Sequence, residues 1–493
     1  MAETRTASAE DTAILDTPSV RQLLTAIADS VTVKEGRAEL VSEQVLRQTG
    51  IDNLIRAAVF GEDIDVRDSA RWIIGEVGLA VGIVPASIHE LYIARGRGET
   101  SGFTVPAMNI RAMSYDSGRA LFAAARDLDV GALICEIARS EIGYTDQRPA
   151  EYVAVMIASA IKEGWSGPLF IQGDHFQINA KKYAADPEPE VRAVRDLIRE
   201  AVAAGFYNID VDTSTLVDLS RETLAEQQEV NYRLSSEITA FIRKLEPEGV
   251  TISIGGEIGE VGTENSTPEE MRAYMDGYNQ ALAELSAEAG APTPGLSKIS
   301  VQSGTSHGGV VLPDGSIADV ALDLETLRVL SKIARDEYGL AGAVQHGAST
   351  LPQTAFGSFP EVETAEIHLA TNFQNIVYEH PSLPEELRER MYEHCRMEFP
   401  EERKAGDTEE QFIYRSRKKA LGAFKRELWD LPENIRASIR VALRDQFLFL
   451  YRQLCVDNTS EIVARFVSAP PISRTGPAAF RMKAAADDWD LSD

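Results

Sequence analysis

The sequence predicts an α/β chain built on a (β/α)8 barrel with helical extensions at both ends. Three observations carry this reading. Eight short apolar runs recur between about 103 and 375. Amphipathic helical segments fit between them. Nearly every run carries an ionisable or strongly polar residue at or near its end. Strands buried on both faces should not carry such residues, unless their C-terminal ends share one rim, as in a barrel.

The first hundred residues read as helices. Pro18 and Ser19 open a segment that puts Val20, Leu23, Leu24 and Ile27 on one face. Arg95-Gly96-Arg97-Gly98 reads as a connector into the barrel. The eight runs follow: FTVPAMNI (103–110), GALICEIA (131–138), PLFIQGDH (168–175), FYNIDVDTS (206–214), VTISIGGEIG (250–259), KISVQSGTSHG (298–308), AGAVQHGAS (341–349) and AEIHLATNF (365–373). Between the third and fourth, Val191, Val194, Leu197, Ile198, Ala201 and Val202 recur at helical spacing, with Gly205 just past the end. After about 380 the chain turns helical again. Pro384 to Met397 and Glu409 to Leu428 read as amphipathic helices, with Pro384 at a first helical position. The segment from Asn434 to Leu454 contains FLFLY, apolar most of the way round, and reads as a buried helix. The expected organisation is a helical extension over 1–100, a catalytic barrel over 101–380 and a helical extension over 381–493.

Composition narrows the class of function. A chain of 493 residues, 44% hydrophobic and 26% charged, has the balance of a soluble globular protein. A formal net charge of −28 argues against binding nucleic acid or anionic membranes, both of which need a basic surface. Cys135, Cys395 and Cys455 are odd in number and far apart, so no disulfide framework or thiolate metal site is expected. A reducing cytoplasm fits that usage. The first residues lack the basic and apolar pattern of a signal peptide, and no apolar run is long enough to span a bilayer.

The polar residues near the run ends are Asn109, Glu136, Asp174, His175, Asp210, Asp212, Glu257, His307, His346 and His368. The chain has 7 histidines, and His175, His307, His346 and His368 all fall in this group. Neutral imidazole is the commonest nitrogen ligand for zinc, and a catalytic zinc keeps three protein ligands plus an open position. Three of these histidines sit in Gly-containing stretches, GDHF, SHGG and QHGAS, where small neighbours let metal and substrate approach the backbone.

The motifs GDH, GGEIG, SGTSHGG, QHGAS and HLATN, in this order, resemble the series of the class II, metal-dependent ketose-bisphosphate aldolases. A second set, EIARSEIGYTDQRPAEY, QGDHFQIN and AGFYNIDVDTST, is similar to the accessory subunit of tagatose-bisphosphate aldolase. The resemblance implies that His175, His307 and His346 bind the metal and that Glu257 holds it in an alternate position. It implies that Asp174 moves a proton at the hydroxyl of the scissile bond, and that Asp212 or Asp210 lies near the metal. For the second proton it implies a glutamate on the loop after the GEIG strand. Glu264 is the candidate, although an ungapped alignment places Asn265 there. The cofactor implied is Zn2+ or another divalent cation, with a monovalent cation as an optional companion.

For substrate and phosphate the resemblance points to Asn109, Gly308, Gly309, Gly347, Ala348, Ser349, His368 and Thr371. Three positions depart from the family pattern. Val311 stands where a lysine is usual, His368 where an asparagine is usual, and Asn372 where an aspartate is usual. A compensating cation is sought in Arg139 or in the cluster Arg415, Arg417, Lys418, Lys419, Lys425 and Arg426. The expected activity is reversible aldol cleavage of a ketose (bis)phosphate such as fructose 1,6-bisphosphate. The alternatives are a non-catalytic accessory subunit, or a metal-dependent sugar isomerase or epimerase. A cytoplasmic homodimer or higher oligomer is expected, with no nucleic-acid or membrane partner.

Overall fold

The structure is a computed structural model that describes residues 17–34, 36–259, 264–290, 292–304, 312–313 and 322–477. Its centre is a closed barrel of eight parallel strands. These are β4 (Val105–Asn109), β5 (Ile134–Ala138), β6 (Gly167–Gln177), β7 (Asn208–Asp212), β8 (Ser253–Glu257), β9 (Lys298–Val301), β10 (Ala343–Gln345) and β11 (Glu366–Leu369). Each pairs with the next, and β11 returns to β4 with His368 opposite Ala107. Seven of the eight expected runs contain one of these strands, and the third, 168–175, lies within the longer β6. The helix Pro187–Ala204 crosses from β6 to β7 and ends at Gly205, whose φ of 105° suits a left-handed cap.

Three strands precede the barrel, where only helices were expected: β1 (Val31–Lys34), β2 (Arg37–Leu40) and β3 (Ile83–Ala86). β1 and β2 form an antiparallel hairpin with Lys34 opposite Arg37. Their alternation is too short to register against the helical periodicity around it. β3 pairs with the start of β6, Ile83 opposite Gly167 and Ala86 opposite Phe170. Asn208 of β7 locks it there, accepting from Ile88 N at 2.9 Å and donating to the carbonyls of Ala86 and Ile171 at 3.1 and 3.0 Å.

The helix His89–Gly96 then closes the floor of the barrel. Tyr92 is fully buried and its hydroxyl donates to Glu366 at the start of β11. Arg95 was expected in a connector. It is instead 1% exposed, bonds the Phe103 carbonyl and pairs with Glu363 at 2.9 Å.

The C-terminal segment packs on the outside. The helix Glu433–Gln453 buries Leu443, Phe447, Leu450 and Tyr451, and the Phe447 ring lies 4.7 Å from that of Phe373. The single helix expected over 409–428 is broken into Glu409–Ser416, a tight turn at Arg417–Lys419, Ala420–Ala423 and Lys425–Trp429. Close packing accounts for the break. A Cβ on Gly422 would stand 2.6 Å from the Tyr144 carbonyl oxygen, so backbone meets backbone there. Among the described residues no helix is long and apolar enough to cross a membrane.

Candidate active site

The site is built around an irregularity in β6. Adjacent residues of a regular strand point to opposite faces. Here the register against β7 shifts between Gly173 and Phe176, and His175 takes φ 41°. A bulge of this kind re-aims side chains and is common beside active sites, and positive φ at a non-glycine marks stored strain. Phe176 folds back over Gly173, where a Cβ would lie 2.5 Å from its ring. Glycine at 173 is therefore what permits the bulge. Gly173→Ala is expected to push the Phe176 ring aside and cost about 1–3 kcal/mol, read from the urea unfolding midpoint, with a parallel loss of activity.

His175 reaches two carboxylates through one nitrogen. Its Nδ1 lies 3.0 Å from Asp212 Oδ2 and 3.3 Å from Glu257 Oε2, and its Nε2 lies 3.8 Å from Asp174 Oδ1. Asp212 is itself fixed, accepting from Ser214 N at 3.1 Å, Ser214 Oγ at 2.6 Å and Gln177 Nε2 at 2.5 Å. Burial alone would depress the His175 pKa, but Asp174 and Glu257 outweigh it and hold the imidazole well above its ordinary value. Burial and then Asp212 push Glu257 up to about 7. Burial also opposes ionisation of Asp212, yet the bond from His175 wins and its pKa falls. His346 lies between two other imidazoles, tilted to both, its ring centroid 4.3 Å from that of His175 and 4.0 Å from that of His368. Its Nε2 lies 3.0 Å from Ser300 Oγ.

Three overlapping sets of donors gather here, each with its atoms within 4.8 Å of one another. They are Asp174, His175 and His346; His175, Asp212 and Glu257; and Glu136, Asp174, Asp210 and His368. These sets fit a divalent cation. Asp212 fixes His175 through Nδ1, as a metal-ligating imidazole is commonly fixed by a carboxylate on its other nitrogen. His307, Gly308 and Gly309 lie outside the described residues. Glu264 is exposed, ahead of the helix Pro268–Ala289. Asn265, the ungapped alternative, donates to Asp323 Oδ2 at 2.9 Å. Asn109 donates to Asp174 Oδ2 at 2.9 Å.

The expected phosphate loop is partly occupied by its own bonds. Gly347 has φ 70° and leads into the turn Ala348–Thr350. Ser349 Oγ accepts from the amides of Ala370 and Thr371 at 2.6 and 3.2 Å. Those two donors at the start of the helix Thr371–Glu379 are thus already engaged. His368 was expected to face substrate. It is 5% exposed, inside the barrel, with Nε2 2.7 Å from Glu366 Oε1. Most of the basic cluster is already paired: Arg415 with Asp407, Arg417 with Glu379, Lys419 with Glu402 and Lys425 with Glu151. Lys418 and Arg426 instead stack on Tyr144 and Phe60. Arg139 pairs with Glu190 at 2.5 Å.

Below the histidines runs a polar column that the sequence reading missed. Lys298, 0% exposed at the start of β9, reaches Asp210 Oδ1 at 2.9 Å and Gln172 Oε1 at 2.8 Å, and also pairs with Glu366. Gln172 Nε2 donates to Glu136 Oε2 and Glu366 Oε1, each at 2.9 Å. Burial pulls the Lys298 pKa down, but Asp210 and Glu366 outweigh it and the ammonium stays charged. The Glu366 carboxyl is held low by Lys298 in spite of its burial. Burial pushes Glu136 up to about 7. The available signal was an ionisable residue opening an apolar run, as in KISV and EIHL.

Several solved structures are similar to this chain at low identity. A probable tagatose 6 phosphate kinase from Sinorhizobium meliloti is 17% identical over 76% of this chain and 96% of its own, with a TM-score of 0.50. A fructose-bisphosphate aldolase from Campylobacter jejuni is 17% identical over 76% of this chain and 97% of its own, with a TM-score of 0.45. A fructuronate-tagaturonate epimerase from Cohnella laeviribosi is 13% identical over 86% of this chain and 93% of its own, with a TM-score of 0.49. No curated protein matches the chain. The profile of the family described as fructose-bisphosphate aldolase class-II matches residues 96–425 of the 493, which takes in every strand of the barrel and every donor set described above. The chain therefore belongs to the class-II fructose-bisphosphate aldolase family.

Proposed function

We propose that the protein is a metal-dependent aldolase that cleaves and forms a C–C bond in a keto-sugar phosphate, with fructose 1,6-bisphosphate as the first candidate. One observation carries this reading: the Asp174 carboxylate stands beside the imidazoles of His175 and His346, with donor atoms close enough to share an ion. His175 and His346 would hold the cation, with His307 as third ligand and Asp212 and Glu257 as orienting or alternate donors. A divalent cation bound there supplies Lewis-acid stabilisation of the charge that develops on the ketone half.

The chain's own residues do the rest. Asp174 takes the proton from the hydroxyl at the scissile bond and returns it in condensation. Asn109 holds the Asp174 carboxylate through Oδ2. Glu264 moves the second proton, at the reactive carbon of the ketone. Because the Ala370 and Thr371 amides already donate to Ser349 Oγ, phosphate contacts are assigned to Gly347, Ala348, the Ser349 O–H, Gly308 and Gly309.

The test is a screen of phosphorylated and free keto-sugars for aldehyde release, with and without chelator. The expected outcome is aldehyde release that stops on chelation and returns when a divalent ion is added back. Conversion of a keto-sugar without aldehyde would replace cleavage by isomerisation or epimerisation. No turnover and no bound metal would favour an accessory subunit.

A further inference from the structure

The proposed reaction uses one ion, yet the donors inside the barrel suit two. His368 supplies the first argument. Its Nδ1 lies 3.2 Å from Glu136 Oε2 and 3.2 Å from Asp174 Oδ1. One N–H cannot serve two carboxylate oxygens equally well, whereas a cation can. Ligands on metal bonds of roughly 2.1 Å stand about 3.0–3.4 Å apart, depending on geometry, and both separations fall inside that interval.

The other ring nitrogen supplies the second argument. His368 Nε2 lies 2.7 Å from Glu366 Oε1. A metal-ligating histidine characteristically donates its second ring N–H to a carboxylate, which fixes the tautomer and frees the opposite nitrogen for the ion. Glu366 is well placed for this, held by Lys298, Gln172 and Tyr92. The pattern repeats the pairing of His175 with Asp212 nearby.

Charge supplies the third. Glu136, Asp174, Asp210 and Glu366 are each no more than 5% exposed, and the groups that face them with positive charge are Lys298 and, when protonated, His368 and His175. Crowding four carboxylates in a buried space is costly, and a bound cation relieves that cost. Asn109 points the same way. It is 2% exposed and gives its amide Nδ2 to Asp174 and Glu136, while its Oδ1 is buried without a partner.

We propose that Glu136, Asp174 and His368 hold a second divalent cation on the Nδ1 side of His368, beside the ion of His175 and His346. Carboxylates dominate this donor set, so Mn2+ or a similarly oxygen-seeking ion suits it better than a thiolate-preferring one. The second ion fixes the Asp174 carboxylate through Oδ1, while Oδ2, which accepts from Asn109, keeps its second lone pair for the substrate hydroxyl. This rests on the first metal site proposed above, and the test separates the two.

The full-length chain is stripped with chelator, reloaded with Mn2+, dialysed and analysed for metal per chain. The expected result is two ions in the wild type and one in each of E136Q and H368N, with the magnetic coupling of a Mn2+ pair seen by electron paramagnetic resonance in the wild type only. One ion in all three proteins would overturn the second site and leave the first. Two ions in all three would place the second ion elsewhere and also overturn it. No ion in the wild type would remove both sites. Two separate substitutions guard against one that fails to fold.

Discussion

Asp174→Asn is expected to lower kcat by about 10²- to 10⁴-fold, the range of a lost general acid–base, while the ion assigned to His175 and His346 remains bound. Asparagine keeps the shape and the contact with Asn109 but cannot accept the substrate proton. The loss should fall on kcat rather than KM, because the carboxylate acts on the bond being broken. Turnover under saturating substrate, with metal content measured on the same preparation, gives the comparison. A variant with unchanged kcat would remove Asp174 from the chemistry. A variant that loses the ion of His175 and His346 as well would recast Asp174 as a ligand of that ion first and a base second.

Lys298→Met should lower folding stability by about 3–5 kcal/mol, the usual consequence of breaking a buried ion pair from one side. Lys298 is the counter-charge for Asp210 and Glu366, and both carboxylates are buried. Methionine fills the space and leaves two buried anions facing each other. The urea midpoint at neutral pH measures the effect. A double replacement, Lys298→Met with Glu366→Gln, should recover part of the loss because one of the stranded charges is gone. If the single variant is as stable as the wild type, Lys298 does not neutralise the column.

Much of this architecture was legible in the residues. Eight apolar runs ending in polar residues place eight strands, because a parallel barrel buries both faces of each strand and gathers the exceptions at one rim. Asp174, His175, Asp212, Glu257 and His346 were found by that rule and do come together. The rule has a blind side. It treats the strand starts as plain core, so Lys298 and Glu366 were passed over although both are charged residues inside apolar runs. It also could not foresee the bulge, because nothing in QGDHF states that Phe176 will fold back onto Gly173. The strand β3 was lost to its own shortness. Its four residues acquire meaning only when Asn208, more than a hundred positions later, binds them in place.

Tyr92 has a consequence for grafting. The match to the family begins at residue 96, yet the hydroxyl that meets Glu366 belongs to Tyr92, just upstream of it. A barrel cut at that boundary would strip one donor from the acidic base of β11, leaving Glu366 to Lys298, Gln172 and His368.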